Sequence, residues 1–423
     1  MDYQKTILKN GLTVVTHSLP KRDSVSLGIW IKAGGRYENK DNNGIAHFLE
    51  HLVFKGTKSY SCNKIKESIE GVGGALNAMT AQEHTCYFIK IPSKFLKIAL
   101  NVLSEMVTCP SLKQEEVDKE RFVILEEIKM YRDLPQAYVH ELLDELIWPK
   151  HPLGFNLAGT FETVSKINSG DLKNFIDTFY TPSNLIISAS GKIKHKELVN
   201  KIEDIFGNFK KSTKNTFLEF KNSQKAPVFN ILNKDTAQGH LAIGFHSVSN
   251  CDQRKFIASL LHIILGANMS SRLFNEVREK RGLAYEIGTQ VRKFRDSGAF
   301  IVHAGIDNNK TVDAVRVILE ELNRIKKDLV TDDEFKRAKD FFIGQLSLSL
   351  EDTLDNMFWI GEQTVSLNKI YTLKEIIAKL SKIKRENLRE LANSVFLKDN
   401  LSLSFIGKVS EEDKIKQSIL CLS

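Results

Sequence analysis

His47, Glu50 and His51 place two imidazoles and a carboxylate within five residues, His47-Phe48-Leu49-Glu50-His51. On a helix, positions i and i+4 share a face, so both imidazoles can hold one cation. Glu50 lies one turn from His47 and can reach a water on that cation without ligating it. The neighbouring residues predict the helix. Asp41, Asn42 and Asn43 offer an N-terminal cap, and Ile45, Phe48, Leu49, Leu52 and Val53 form an apolar stripe that closes at Gly56. Two ordinary helix-face histidines beside a solvated glutamate would read the same way, so the pentapeptide needs support from elsewhere. A catalytic zinc takes three protein ligands and keeps one position open. A second helical pattern, from about Gln114 to Arg132, carries Glu120 and Glu127 two turns apart on one face. Phe122, Val123, Leu125 and Ile128 of this pattern are expected to serve the core. One of the two carboxylates can ligate while the other supports it.

The H-x-x-E-H order inverts H-E-x-x-H and is the inverzincin signature. With these residues in place, the chain resembles the pitrilysin–insulinase family of inverzincin zinc peptidases. Within that family it is similar to the short bacterial members that resemble the beta subunit of mitochondrial processing peptidase. The resemblance is carried by Asn10–Val14, by Gly44 through Thr57, by Gly73–Ala78, by the Glu120 to Glu127 run, and by Pro152–Gly154 with Gly159 and Thr160. It implies one Zn2+ per chain, bound by His47, His51 and Glu127, with Glu50 as the base and Glu120 as the supporting carboxylate. It also implies a metalloendopeptidase acting on short or unfolded peptides, presequence-like basic ones included. The alternative within the family is a noncatalytic or partner-dependent subunit of a processing-peptidase-like assembly. Noncatalytic subunits typically lose ligands, and this chain keeps all three and the base, so the closer alternative is an active subunit that requires a catalytically dead partner.

The chain is an internal duplication. Residues 171–193 meet residues 387–409 without a gap at a shift of 216, with Phe175 on Leu391 and Tyr180 on Phe396. A shift of 218 sets Glu120 on Ala338 and Glu127 on Gln345. A shift of 212 sets His47, Glu50 and His51 on Ser259, His262 and Ile263. The second half therefore repeats the helices without the ligands. Strand patterns at Lys5 to Leu19, Val25 to Ala33, Ala75 to Thr80 and Thr85 to Ile91 mix with long helical runs. This indicates α+β sheets rather than a doubly wound fold. The expected architecture is two homologous half-domains, each a mainly antiparallel sheet covered by helices. Residues 1–212 form the zinc-binding half, 213–226 a lysine- and asparagine-rich linker, and 227–423 a metal-free, substrate-assisting half.

The 423 residues suffice for two such cores. A formal charge of +8 could suggest nucleic acid, but the basic residues are interleaved with acids and no recognition motif is present. No apolar run is long enough to insert in a membrane. Five cysteines without paired spacing point to free thiols in a reducing compartment, which for a bacterial protein is the cytoplasm.

Asn77 and Ala78 lie in a strand whose main chain can pair with an extended peptide, and the family uses this strand so. By the same resemblance, Phe274, Arg278 and Tyr285 form a substrate element in the second half. There an arginine and a tyrosine seven residues apart assist the carbonyl or oxyanion. The resemblance to processing peptidases also implies that Glu141 helps to select basic peptides, although Ala137 replaces a second acid there. Asp144 and Glu145 of the same helix can add to this or simply form a solvated face. Larger members join four half-domains around a chamber. This chain has two, which implies a homodimer closing on a peptide or unfolded-protein substrate.

Overall fold

The computed structural model describes residues 3–210, 216–408, 412–419 and 422. The expected half-domain boundary at residues 212 and 213, and Cys421, lie outside them. The first sheet contains β1 (Tyr3–Ile7), β2 (Thr13–Ser18), β3 (Ser24–Ile31), β4 (Ala75–Thr80), β5 (Thr85–Pro92) and β6 (Leu185–Gly191). Its order is β1-β2-β6-β3-β5-β4, and only the β2–β6 pair is parallel. The segment expected as one strand, Lys5 to Leu19, is a hairpin. Gly11 takes φ +96°, which favours glycine, and the Leu8 and Leu12 backbones close the turn.

Alternation along these strands builds two cores. Val14, Leu27, Ile29 and Ile187 face a large cluster with the helices of the first half. Val15, Trp30, Cys86 and Ile186 face the other way, onto Met357 and Ile360 of the helix Thr353–Leu367. Contact there is close. A Cβ on Gly361 would lie 2.3 Å from the Trp30 indole. Trp30 itself is fully buried and donates its indole N–H to Ser188 Oγ at 2.7 Å.

The second sheet contains β7 (Val228–Asn233), β8 (Gly239–His246), β9 (Ala284–Lys293), β10 (Gly298–Ile306) and β11 (Leu401–Gly407). Its order, β7-β11-β8-β10-β9 with β7–β11 parallel, repeats β2-β6-β3-β5-β4. The helix Pro135–Ile147 packs on β8 and β11, with Ile147 so near Gly244 that an added Cβ would come within 2.5 Å. The fold is α+β, with two repeated sheets covered by helices.

The compact units are not the contiguous halves. One comprises Met1–Lys129, Phe155–Leu218 and Ser347–Leu373; the other comprises Met130–Gly154, Glu219–Leu346 and Lys374–Ser423. Each sheet is thus backed by one helix from the opposite half of the chain. An amphipathic stripe tells a helix to cover a sheet, but not which of two similar sheets it covers. Two residues of the expected linker pack within the first unit. Phe217 lies 3.8 Å from the Arg36 guanidinium, and Leu218 accepts a hydrogen bond from Arg36 Nη2 at 2.9 Å.

Candidate metal centre and active site

The motif helix spans Ile45–Leu52, with Ile45, Ala46, Phe48, Leu49 and Leu52 buried. Asp41, Asn42 and Asn43 do not cap it directly. Gly44 holds the N-cap position with φ +94°, and the cap is the buried carboxylate of Glu38. Glu38 accepts hydrogen bonds from Gly44 N and Ala46 N, each at 2.8 Å, and from Asn43 Nδ2 at 3.0 Å. Burial outweighs these bonds and pushes the Glu38 carboxyl up to about 7. The cap was not visible in sequence because it reaches back across a loop rather than along the helix.

The facing helix spans Gln114–Asp133 and buries Val117, Glu120, Ile124 and Ile128. Phe122 and Val123, expected in the core, are instead 71% and 51% exposed. A stripe through Val117, Ile124 and Ile128 already fills the inner face, so positions 122 and 123 turn outward.

Between these helices His47, His51 and Glu127 each turn a ligand atom inward, all within 4.8 Å of one another. No other group of this kind occurs among the described residues. His47 Nε2 lies 3.8 Å from Glu127 Oε1, and His51 Nε2 lies 3.6 Å from Glu127 Oε2. Two ligands on one tetrahedral zinc with bonds near ~2.1 Å stand roughly 3.4 Å apart, so the cluster needs little movement to hold that ion. The chemistry of the donor set, two imidazoles and a carboxylate, also suits a catalytic zinc. His51 Nδ1 is 2.9 Å from Glu120 Oε1, which aims its other nitrogen at Glu127. Lys55 Nζ completes the chain at 2.5 Å from Glu120 Oε2. Sequence reading missed Lys55, although its place four residues after His51 puts it on the same helix face.

The electrostatics follow from burial and charge. Burial, then the His51 charge, lowers His47 to about 4. Burial acts to lower His51 as well, but the Glu120 hydrogen bond and the Glu127, Glu120 and Glu50 charges outweigh it and raise the net value. Burial acts to raise Glu120, and its bonds to His51 and Lys55 reverse that to a net lowering. Glu50 is raised by burial despite a hydrogen bond from Thr80 Oγ1. Thr80, also missed in sequence, closes β4, the edge strand that carries Asn77 and Ala78.

The second unit holds the remaining candidates. Arg278 stacks 4.7 Å from the Phe274 ring centroid and 5.5 Å from that of Tyr285, whose side chain is exposed. Glu141 is part-buried on the Pro135–Ile147 helix. Asp144 of that helix is not on a solvated face, because it pairs with Arg292.

Comparison with known proteins gives these residues a context. The family model described as Insulinase (Peptidase family M16) matches residues 13–161, and the model described as Peptidase M16 inactive domain matches residues 166–342. A Bacillus subtilis protein named an uncharacterized zinc protease, YmxG, is 36% identical over 395 residues, covering 92% of this chain and 95% of its own. The chain belongs to the insulinase family, peptidase family M16. A Streptomyces coelicolor protein, likewise named an uncharacterized zinc protease, is 34% identical over 97% of this chain and 90% of its own. A crystal structure of a protease from Helicobacter pylori shares the fold with a TM-score of 0.91 at 24% identity, covering 96% of this chain and 99% of that one. In this M16 chain the first matched segment contains all of His47, Glu50, His51, Glu120 and Glu127. Among the described residues no helix is long and apolar enough to cross a membrane.

Proposed function

We propose that this chain is a zinc metalloendopeptidase that hydrolyses peptide bonds in short or unfolded peptides, basic presequence-like ones included. The observation that carries the reading is the convergence of His47, His51 and Glu127 beside Glu50. His47, His51 and Glu127 would hold one zinc ion per chain, which when bound supplies Lewis acidity toward a carbonyl and toward water. Glu120, backed by Lys55, keeps His51 turned to the ligand position. Glu50 takes the proton of the attacking water and delivers it to the leaving amine, and its raised affinity for protons suits both tasks. Thr80 fixes the Glu50 carboxylate from the edge strand. The main chain of that strand at Asn77 and Ala78 pairs with the extended substrate. Arg278 and Tyr285 donate to the oxyanion as charge develops, Phe274 supports them, and Glu141 favours basic residues.

The relatives' names as zinc proteases support the activity. A homodimer would enclose the substrate and exclude compact domains. The free thiols of Cys62, Cys86, Cys109 and Cys251 suit a reducing cytoplasm. Glu50→Gln tests the mechanism. The purified variant should retain near-stoichiometric zinc and lose roughly 10²–10⁴-fold in turnover of an unstructured basic peptide. Wild-type rates in that variant would reject Glu50 as the base. No cleavage by the zinc-loaded wild-type chain on its own would favour the partner-dependent subunit.

A further inference from the structure

The second unit contains a cavity of about 270 Å³ where its duplication partner keeps the metal-supporting residues. At the 212-residue shift the helix Lys255–Gly266 repeats the buried positions Ala46, Phe48 and Leu49 as Ala258, Leu260 and Leu261. At 218 the helix Asp332–Ser349 repeats the buried positions Glu120 and Ile128 as Ala338 and Leu346. Ile263 therefore stands in the place of His51, and Ala338 in the place of Glu120. Together with Ile264 and Phe341 they give the cavity an apolar floor. Three charged residues line it as well. Glu334 is held by Arg272 through bonds of 2.8 and 2.9 Å, and Asp340 by Lys336 at 2.6 Å. Arg337 has no hydrogen-bond or ion-pair partner among the described residues. The acids are thus neutralised locally, and the guanidinium is the charge left to select a ligand.

We infer that this cavity binds the free C-terminal residue of a peptide, with an apolar side chain on the floor and the carboxylate on Arg337. A guanidinium matches a carboxylate with two parallel hydrogen bonds, which an amide or an amine cannot reproduce. The volume falls just below the usual range of ligand pockets, roughly 300–1,000 Å³, and suits one residue better than a cofactor. All the groups involved belong to one unit, and none of them takes part in the proposed hydrolysis.

The test is titration of the full-length chain with N-acetyl-phenylalanine, its amide, and phenylalaninamide, followed by ligand-observed NMR. The binding is read without zinc or turnover, so its outcome is independent of the proposed activity. The acid should bind at least about tenfold more tightly than its amide, the effect of losing one charge-assisted pair. Arg337→Ala, at an exposed helix position, should abolish that preference while leaving the circular dichroism spectrum unchanged. Ala338→Trp should block the acid by filling the floor. Three results would overturn the inference: acid and amide binding equally, an acid preference that survives Arg337→Ala, or no saturation by about 10 mM. Preference for phenylalaninamide would also overturn it, by assigning the site to Glu334 and Asp340 instead.

Discussion

The motif helix of the first unit and its counterpart in the second share their main buried positions and differ in chemistry. Ala46, Phe48 and Leu49 are buried in one, and Ala258, Leu260 and Leu261 in the other. Where the first unit holds the charged chain His51, Glu120 and Lys55, the second has Ile263 facing Ala338. The middle position is tied to the edge strand in both. Glu50 accepts from Thr80 of β4, and His262 Nδ1 lies 2.7 Å from Thr289 Oγ1 of β9. Packing positions therefore fix the helices, and a handful of residues on the remaining face decide whether a cation can be held. Partly burying several ionisable groups costs stability unless they are paired, and apolar replacements avoid that cost. The first unit carries this cost at the proposed metal site, and the second does not carry it at the corresponding positions.

Copying the second unit into the first should have the largest effect. His51→Ile reproduces Ile263 and removes a proposed ligand together with the partner of Glu120. We expect loss of stoichiometric zinc by metal analysis and loss of peptidase activity, with the far-ultraviolet circular dichroism of the wild type. Retained zinc would break the comparison. Glu120→Ala reproduces Ala338 and leaves all three proposed ligands. Metal affinity should fall about 10–100-fold, as for other outer partners of a ligating histidine. Competition with a chelator measures it, and unchanged affinity would reduce Glu120 to a packing residue.

How much of this was readable in the sequence divides along the same line. His47, Glu50 and His51 were legible as neighbours because helical spacing turns sequence separation into spatial proximity. Glu127, on another helix, was singled out over Glu120 only by the resemblance, and the fold brings it beside the two histidines. The edge strand Ala75–Thr80 fell where its composition put it, between Gly74 and the turn before Thr85. The Glu38 cap was hidden because the contact crosses a loop. Phe122 and Val123 were misassigned because a helix with one apolar stripe and two further apolar residues has no sequence signal for which set turns inward. The exchanged helices, Pro135–Ile147 and Thr353–Leu367, were hidden by the duplication itself, which offers each helix two sheets of one design.

A pH series sharpens the metal half of the comparison. His51 is raised above its ordinary 6.5 in the metal-free protein, so its ion pair with Glu120 contributes stability fully below 6.5 and loses it as pH rises through the raised value. Zinc needs the opposite state, a neutral imidazole. The stabilisation by zinc, about 4 kcal/mol at a thousandfold excess over Kd, should therefore shrink as pH falls through the histidine range. His47, lowered to about 4, stays neutral throughout and does not contribute to the change. Differential scanning calorimetry with and without zinc reads this directly. A zinc increment in melting temperature that is flat between pH 8 and about 5.5 would contradict the assignment of His51 as a ligand.

The smallest expected effect comes from the second unit, at His262→Ala. Burial, followed by the Lys293 and His303 charges, lowers His262 to about 4, so the imidazole is neutral at physiological pH and no ion pair is lost. Removing it takes one hydrogen bond from Thr289, whose hydroxyl keeps a second acceptor in the His262 carbonyl at 3.2 Å. No buried donor is stranded, so the hydrogen-bond part of the cost should be that of one net bond, about 0.5–1.5 kcal/mol. Chemical denaturation should show that loss, with zinc content and peptidase rate unchanged. A large drop in turnover at intact stability would mean that His262 has kept a role in the reaction, and that the second helix is not the silent copy its burial pattern describes.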